Sequence, residues 1–500
     1  MDTTIDPRIE KLNRIGIALS SETDIDRLLA LIVSEARGFT QADAGSLYTL
    51  EADRLFFRVA QNDTLNKSRG GSSSFKPHPI ALDTSSIAGY VALKGEVLHI
   101  EDVYFLSQDA PYSFNKSFDQ ENGYRSQSML VVPMKDPEGQ VLGVLQLINA
   151  QDGSGKVTTF SPGYQTLTMS LASQAAVALR NARLIYYIKS LFEALIKYSA
   201  SAIDARSPHT AGHSRRVAAY ALAIARQMDK ETQGPFADVF FPPERLDRLK
   251  YAAWLHDMGK IGVPEQILDK RWRLPVGQEE VIKSRFGLAA ACKALEAAGQ
   301  LDGPGAREVL AAEQARLNQA LERILKINAS NWLPDEDLEF LQKMQQETFV
   351  DPDGNGQPLL KGEEMHYLTV KKGNLTPEEY QAMQGHVDHT LKIVRNIPFT
   401  GHLQDVPIIA ASHHEMINGT GYPRKLSGDA VGLEARILAM VDIFDALTAM
   451  DRPYRRAIPP EKAAAILQSD VEAGRLDKDV VALFVSRRLW EQADKEKQEL

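Results

Sequence analysis

The sequence lacks several features that define large classes of protein. A single cysteine, Cys292, allows no intramolecular disulfide and suits a reducing compartment. No apolar run is long enough for a membrane span, and the first ten residues, MDTTIDPRIE, lack the apolar stretch of a signal peptide. There is no basic block, and a net charge of −9 offers nothing to neutralise the phosphates of a nucleic acid polymer. We therefore expect a cytoplasmic protein that binds neither membranes nor nucleic acid polymers.

What is present indicates several folded domains. The chain has 500 residues, of which 44% are hydrophobic and 25% are charged, so we expect two or three soluble domains. Histidine is unevenly distributed: of eleven histidines, only His78 and His99 precede residue 200. Chemistry that depends on imidazole is therefore expected in the C-terminal part, and these two early histidines are expected to be structural.

The N-terminal part reads as an α+β unit. Helical periodicity predicts a helix over residues 25–37 with Asp24 as its cap. Five β-rich runs follow, at 44–50, 54–62, 96–103, 128–134 and 141–150. This order, with GYRSQSMLVVPM leading into VLGVLQLINA, resembles a GAF domain over roughly residues 10–180. The resemblance implies an antiparallel sheet flanked by helices and a sensor that can bind a small molecule, whose identity it does not specify; the stretch FNKSFDQENG (114–123) is interpreted as a surface loop.

One long helix is predicted over residues 163–200. Seven of its residues are separated alternately by four and three positions: Val177, Asn181, Leu184, Ile188, Leu191, Leu195 and Tyr198. This is the a/d spacing of a coiled coil, with Asn181 as a polar core residue that favours a dimer. We expect a parallel homodimer, the alternative being a helix packed on its own domain.

The C-terminal part contains several separated histidine motifs. SPHTAGHSRRV predicts a helix that starts at Ser207 and places His209 and His213 on one face, although Thr210 stands where a zinc protease motif needs glutamate. His256 and Asp257 follow an apolar helix. Further along come Lys260, then His386, then HHEMINGTGYP at 413–423, and finally an apolar helix within 434–457.

The aspartates of these helices predict a metal site. Asp442 and Asp445 lie within an apolar helix, and Asp257 ends another. Burial of a carboxylate costs several kcal/mol unless a cation or hydrogen-bond donors compensate for the lost water. Several buried aspartates among several histidines therefore indicate a multinuclear site, with ligands that suit iron, manganese or zinc rather than calcium.

These motifs resemble the HD phosphohydrolase superfamily. In particular, H-H-E-x-x-N-G-x-G-Y-P and D-I-F-D-A-L-T-A-x-D-R-P-Y-R resemble the HD-GYP subfamily, over about 201–270 and 367–490. The resemblance implies an all-α domain that hydrolyses a cyclic dinucleotide, chiefly cyclic di-GMP, to pGpG or onward to GMP. Cyclic GMP-AMP remains open as the substrate.

The resemblance also implies roles for individual residues. The metal ligands would be His213, His256, Asp257, His386, His413, His414 and Asp442, with Asp257 bridging two metals. Lys260, Arg452 and Arg455 would contact phosphate, Tyr422 would line the substrate pocket, and Asp445 would handle a proton or orient Arg452. His209 stands where three-metal members have a glutamate, so we expect two divalent metal ions, iron or manganese, with His209 kept as a ligand of a possible third.

The largest departure from the family is an insertion at about 272–366. Its periodicity predicts a helical hairpin. Within it, DPDGNGQPLLKGEE (351–364) begins like a calcium-binding loop, but position twelve is Gly362, so a polar turn is expected.

The expected organisation is a GAF sensor domain (1–162), a linker helix (163–200) and an HD-GYP domain (201–500), in a multidomain chain. The expected activity is hydrolysis of a cyclic dinucleotide under control of the GAF domain. Three alternatives remain: a receptor that binds without cleaving, a general nucleotide phosphohydrolase, and a scaffold whose GAF domain does the binding.

Overall fold

The computed structural model of the chain describes residues 7–22, 24–51, 53–69, 78–206, 212–300, 304–449 and 457–499. These residues form two compact units, Met1–Glu193 and Ala194–Leu500. Each unit has its own core.

The first unit is an antiparallel sheet flanked by helices. Its strands are β1 (Ala42–Glu51), β2 (Arg54–Asn62), β3 (His78–Ile80), β4 (Leu98–Ile100), β5 (Met129–Lys135), β6 (Val141–Gln151) and β7 (Val157–Thr158). Their order is β3-β2-β1-β6-β5-β4, with β7 beside β6. The helices before the linker are α1 (Pro7–Ser21), α2 (Ile25–Thr40), α3 (Asp63–Arg69), α4 (Ile87–Lys94) and α5 (Ser117–Asn122). The expected fold class of this part is confirmed.

The apolar face of α2 covers one side of the sheet. The Asp24 carboxylate accepts a hydrogen bond from the Arg27 amide at 2.9 Å and so caps the helix as predicted. Leu28 and Ile32 are fully buried, and they share a core with Leu145 of the central strand β6. The strongly amphipathic sequence of α2 is therefore explained by this packing.

The stretch FNKSFDQENG lies mostly at the surface, as interpreted above, but it is only partly a loop. Its residues 117–122 form the short helix α5, and Asp119 is buried. The Asp119 carboxylate accepts hydrogen bonds from the Ser126 amide at 2.7 Å and from the Tyr104 hydroxyl at 3.0 Å. These donors lie outside the stretch and compensate for the burial of the charge, which the polar composition of the stretch could not reveal.

The linker helix α6 (Pro162–Arg206) is longer than predicted at both ends. Its first half buries Leu171, Ala175 and Leu179 in the core of the first unit. Beyond these the expected a/d residues Leu184, Ile188 and Leu191 are exposed. Among the described residues, no helix has the length and hydropathy needed to cross a membrane.

The second unit is mainly helical. Its α-helices outside the insertion are α7 (His213–Met228), α8 (Pro243–Leu255) and α9 (Glu265–Leu268), then α14 (Pro377–Gln384), α15 (His386–Val394), α16 (Val406–Ala410), α17 (Leu433–Thr448), α18 (Pro460–Glu472), α19 (Lys478–Ser486) and α20 (Leu489–Glu499). A 3₁₀ turn, Met258–Gly262, follows α8. Alanine-rich α7 packs against α8, α17 and α20.

A helix that runs unbroken from Ser207 through His213, as expected from the sequence, is not formed. Gly212 has a φ of 67°, in the left-handed region, and α7 begins only at His213. Residues 207–211, with the predicted cap and first turn, lie outside the described residues.

The insertion contains the predicted helical hairpin, α10 (Gln278–Gln300) and α11 (Pro304–Asn328), together with α12 (Asp335–Gln346), β8 (Thr348–Val350), β9 (Gly356–Pro358) and α13 (Gly362–Leu368). These elements share a core of their own. The start of the stretch that resembles a calcium-binding loop is the turn between β8 and β9. In this turn the Asp351 carboxylate accepts hydrogen bonds from the amides of Asp353 and Asn355. It is a polar turn, as expected.

Candidate metal centre

Four elements of the second unit bring six metal-ligating side chains into two groups. His213 begins α7, while His256 and Asp257 follow α8. The second group has one member at the start of α15 and two just after α16: His386, His413 and His414. Within each group the candidate ligand atoms lie within 4.8 Å of one another.

Asp442 of α17 joins the first group. Its Oδ1 lies 3.2 Å from Nε2 of His213 and 3.8 Å from Nε2 of His256. The side chain of Asp442 is 15% exposed. Burial would raise its pKa, but the hydrogen bond and the charge of His213 hold the pKa well below the usual range.

Asp257 lies between the two groups and presents one oxygen to each. Its Oδ2 is 3.4 Å from Nε2 of His213 and 3.5 Å from Nε2 of His256. Its Oδ1 is 3.6 Å from Nε2 of His386 and 3.9 Å from Nε2 of His413. The arrangement is that of a carboxylate able to bridge two cations.

The charge of Asp257 is retained although the side chain is buried. Burial would raise its pKa, but the charge of Lys260 and a hydrogen bond from His213 hold the pKa well below the usual range. The Lys260 ammonium lies 2.5 Å from Oδ2 and remains 22% exposed. Lys260 therefore faces both the carboxylate and the solvent-accessible side of the centre.

Three of the histidines have the same orientation. His256, His386 and His413 each direct Nδ1 at the carbonyl oxygen three residues earlier, in every case at 2.7 Å. Because a carbonyl oxygen only accepts, each Nδ1 must carry the proton. In the neutral ring Nε2 then has a lone pair, the form in which imidazole binds a metal.

Two of these lone pairs are directed at one another, because Nε2 of His386 and Nε2 of His413 are 3.4 Å apart. Nε2 of His213 also lies 3.2 Å from Nε2 of His256. Burial lowers the pKa of His213, but hydrogen bonds with Asp257, Asp442 and Asp445 raise it well above its usual value, so this ring can donate a proton. Burial lowers the pKa of His386 and, more strongly, that of His413. Both rings therefore stay neutral, and neither Nε2 gains a proton that it could donate to the other. Two hydrogen-bond acceptors that face each other in a buried site need a cation between them, so these ligand atoms fit a bound metal ion.

Asp445 orients His213. Its Oδ2 accepts a hydrogen bond from Nδ1 of His213 at 2.8 Å, and its Oδ1 accepts one from Nε of Arg216 at 2.7 Å. Burial opposes ionisation, but these two hydrogen bonds lower the pKa of Asp445. With both oxygens engaged, Asp445 is placed to fix the ring of His213, and Arg216 is a partner that the sequence motifs did not identify.

Gly259 and Thr390 join the turn after Asp257 to α15. The Thr390 hydroxyl accepts a hydrogen bond from the Gly259 amide and donates one to the His256 carbonyl, both at 2.9 Å. A Cβ at Gly259 would lie 1.9 Å from the carbonyl oxygen of His386. This close approach brings the backbones of the two groups together, and glycine is the residue that permits it.

The loop 413–423 is held by its own glutamate. The buried Glu415 carboxylate accepts hydrogen bonds from the amides of Arg424 and Leu426, at 2.8 and 2.9 Å, so it shapes the loop. The Tyr422–Pro423 bond is cis, and the Tyr422 ring lies 4.7 Å from the ring of His414. Burial lowers the pKa of His414 to about 4, which keeps this ring neutral, and raises that of Tyr422.

The structure thus brings together all seven residues that the sequence predicted as metal ligands, with Lys260, Tyr422 and Asp445 beside them. His209, Arg452 and Arg455 lie outside the described residues. Arg216, Thr390 and Glu415 were missed as positioning residues. Glu415 alone had a signal, since it stands between the histidine pair and the glycine turn.

Family comparisons agree with both units. A model of the GAF domain family matches residues 24–179. Two models of the HD domain match residues 210–327 and 362–480. The identification of a GAF domain followed by an HD domain is confirmed.

Several curated relatives are similar to part of this chain. A protein described as 3'3'-cGAMP-specific phosphodiesterase 3 of Vibrio cholerae serotype O1 is 27% identical over 280 residues, 56% of this chain and 35% of its own. The cyclic di-GMP phosphodiesterase response regulator RpfG of Xanthomonas campestris pv. campestris is 38% identical over 127 residues, 25% of this chain and 32% of its own. A cyclic di-GMP phosphodiesterase of Thermotoga maritima is 36% identical over 104 residues, 20% of this chain and 27% of its own. The chain spans about a third or less of the length of these relatives.

Among solved structures, the GAF domain of an Acinetobacter phosphoenolpyruvate-protein phosphotransferase is similar to this chain. It is 18% identical, with a TM-score of 0.28, and the match covers 36% of this chain and 98% of that domain.

Proposed function

We propose that this chain, which carries a GAF domain ahead of its HD domain, is a metal-dependent phosphodiesterase of the HD-GYP type that hydrolyses cyclic di-GMP to pGpG. One observation carries the proposal: Asp257 presents one carboxylate oxygen to each of two histidine groups. The relatives named above act on cyclic di-GMP or 3'3'-cGAMP, which supports a cyclic dinucleotide as the substrate class.

Two metal ions are proposed, because the ligands form two groups. His213, His256 and Asp442 would hold one ion, His386, His413 and His414 the other, and Asp257 both. A pair of divalent cations supplies the charge that lowers the pKa of a water nucleophile and stabilises a phosphodiester under in-line attack. Ligands of this mixed type suit iron and manganese.

The chain's own residues would bind and orient the substrate. The Lys260 ammonium, half-buried beside Asp257, would pair with a phosphate oxygen. Tyr422 keeps its hydroxyl proton because its pKa is raised by burial, so it can donate a hydrogen bond while its ring lines the pocket beside His414. Arg452 and Arg455 are proposed to hold phosphate oxygens in the bidentate manner of guanidinium groups.

The test is an anaerobic assay of the full chain. Metals are counted by elemental analysis, cyclic di-GMP and 3'3'-cGAMP are supplied in separate reactions, and products are separated by chromatography. We expect about two metals per chain and linear pGpG from cyclic di-GMP. Asp257→Asn should lose both metals and all turnover, whereas Asp388→Asn, an exposed aspartate on α15, should retain both.

Each other outcome selects a different function. Faster cleavage of 3'3'-cGAMP would change the substrate while keeping the enzyme. Metal-loaded protein that binds the dinucleotide and never cleaves it would be a receptor. Cleavage of linear nucleotides in preference to both cyclic ones would make the chain a general phosphohydrolase.

A homodimer through α6 is proposed for the assembly. Ile188, Leu191 and Leu195 are 64%, 62% and 57% exposed, at the spacing of a coiled-coil seam. Exposed apolar residues in such a row are typical of an interaction surface. Leu191→Glu should convert the dimer to a monomer in sedimentation experiments, while Lys189→Glu, off the seam, should not.

Control by the GAF domain is also proposed. The first unit has a cavity of about 660 Å³ whose lining combines the aromatic rings of Tyr48 and Phe57 with the polar Gln146 and Asp119. Such a lining suits a small molecule with an apolar ring and a few polar groups. A molecule that raises the thermal stability of the chain and also changes its turnover would identify the ligand and the direction of control.

A further inference from the structure

The last turn of α6 contacts two parts of the candidate metal centre. Asp204 and Arg206 lie in this turn, and α6 ends at Arg206. Both side chains point to backbone that carries proposed site residues. All these contacts lie within the second unit.

Arg206 holds the turn that carries Lys260. Its Nη1 donates hydrogen bonds to the carbonyl oxygens of Lys260 and Ile261, both at 2.8 Å, and its Nη2 donates one to the carbonyl oxygen of Val263 at 2.9 Å. Lys260 and Ile261 belong to the 3₁₀ turn Met258–Gly262. A guanidinium fork can bind several carbonyl oxygens in one fixed geometry. The position of the Lys260 backbone is therefore set in part by Arg206.

Asp204 holds the start of α7. Its carboxylate is buried, and it accepts hydrogen bonds from the amide and the hydroxyl of Ser214, each at 3.0 Å. Ser214 directly follows His213, the first residue of α7. An acidic side chain at a helix N-terminus caps free amides, here supplied by another helix.

We propose that Arg206 is a positioning residue, which holds Lys260 beside Asp257 and makes the position of this lysine depend on the last turn of the linker helix. The proposal rests on the proposed function, in which Lys260 pairs with the phosphate. Asp204 anchors the same turn of α6 on α7. A movement of the end of the linker helix would therefore shift both the start of α7, which carries His213, and the turn that carries Lys260. A signal carried along α6 would then alter turnover through Lys260 without removing a metal ligand.

The experiment compares Arg206→Met with Arg215→Met in the full, metal-loaded chain. Arg215 is an exposed residue of α7 and gives the same change of charge. Hydrogen exchange of the peptide spanning 257–264 and the turnover of cyclic di-GMP are both measured. We expect Arg206→Met to speed exchange in this peptide and to lower kcat by roughly 10–100-fold with two metals retained, because small misplacements of a catalytic group have effects of this size.

A double-mutant cycle separates positioning from a general structural role. If Arg206 acts through Lys260, adding Arg206→Met to Lys260→Met should cause no further loss of kcat. Arg206→Lys, which keeps the charge and reaches fewer carbonyls, should give an intermediate exchange rate and kcat. It also serves as the folded variant if Arg206→Met does not fold.

Additive losses in the cycle, or unchanged exchange in peptide 257–264, would overturn the proposal. If the wild-type chain cleaves no cyclic dinucleotide, the proposed function fails. The exchange comparison then decides by itself whether Arg206 holds the turn, because it needs no substrate.

Discussion

Nε2 of His386 and Nε2 of His413 lie 3.4 Å apart, and the Nδ1–H group of each ring donates a hydrogen bond to a main-chain carbonyl. Two buried acceptors that face each other destabilise the metal-free protein, because neither can donate to the other. Metal removal should therefore lower the thermal stability of the second unit. At free metal 100 times the dissociation constant, bound metal contributes about 2.7 kcal/mol to the free energy of unfolding.

Calorimetry with and without a chelator measures this effect, and elemental analysis assigns it. His386→Ala should lower the metal content from about two ions per chain to one, since it removes a ligand of one group only. His402→Ala, at an exposed position, should leave both the count and the melting temperature unchanged. A chelator that leaves the melting temperature of the wild-type chain unaltered would contradict the interpretation of the paired nitrogens.

Asp445→Asn should weaken metal binding without removing a ligand. The amide can still accept a hydrogen bond from Nδ1 of His213, but it cannot neutralise Arg216. Loss of such a supporting partner typically costs 10–100-fold in metal affinity, and we expect about that effect. Titration of the metal-free protein measures it, with the exposed Asp429→Asn as control. Equal metal affinities in the two variants would show that Asp445 does not support His213 as a ligand.

Gly259→Ala should damage the centre through the backbone. The added Cβ would meet the His386 carbonyl oxygen at 1.9 Å and the Thr390 amide nitrogen at 2.3 Å, and main-chain atoms cannot turn aside as a side chain can. We expect a loss of about 1–3 kcal/mol in the free energy of unfolding, together with lost metal. Gly287→Ala in α10 meets no atom within 4 Å and should instead stabilise the chain by about 0.5–1 kcal/mol. Denaturant unfolding of the two variants compares them, and similar stabilities would contradict the close approach.

Acid should remove the contribution that an ion cluster in the insertion makes to the free energy of unfolding. The Arg316 guanidinium, and then the Lys293 ammonium, lower the pKa of Glu313 from 4.5 to about 2. Since the folded-state pKa is the lower one, this stabilisation is complete above pH 4.5 and is lost as the pH falls from 4.5 towards about 2. The stability difference between the wild type and Glu313→Gln should therefore shrink over this range.

Thermal unfolding at a series of pH values tests the acid prediction. The exposed Glu308→Gln gives the same change of charge on the same helix and should show a smaller dependence on pH. Loss of metal at low pH affects wild type and variants alike, so it cancels in the difference. A difference between wild type and Glu313→Gln that stays constant down to the lowest pH would argue against the ion cluster.

Local pattern was enough to predict much of the first unit. Asp24 caps α2 as expected, and the five β-rich runs all contain strands, although the run at 96–103 keeps only Leu98–Ile100. The strands β3 and β7 were missed because runs of three and two residues have no recognisable alternation. The burial of Asp119 was missed because its partners are supplied by other segments.

The sequence pattern predicted the start of α7 wrongly because it does not show the backbone conformation of Gly212. The sequence after Ser207 has the composition of a helix start, yet Gly212 adopts a positive φ, so no helix runs through it and α7 begins at His213. A glycine can take either hand at little cost, so its neighbours do not determine its conformation.

The amino-acid sequence by itself determined which side chains carry the chemistry, because a charged aspartate in an apolar helix needs a partner wherever that helix lies. It likewise determined the order of the two domains, although the linker helix extends beyond its predicted range at both ends. The tertiary structure decided which partners meet: Asp445 with Arg216, across 229 positions, and Thr390 with Gly259, across 131. It also placed Asp257 between the two histidine groups. These contacts depend on how helices distant in the chain pack against one another, and no local spacing specifies that packing.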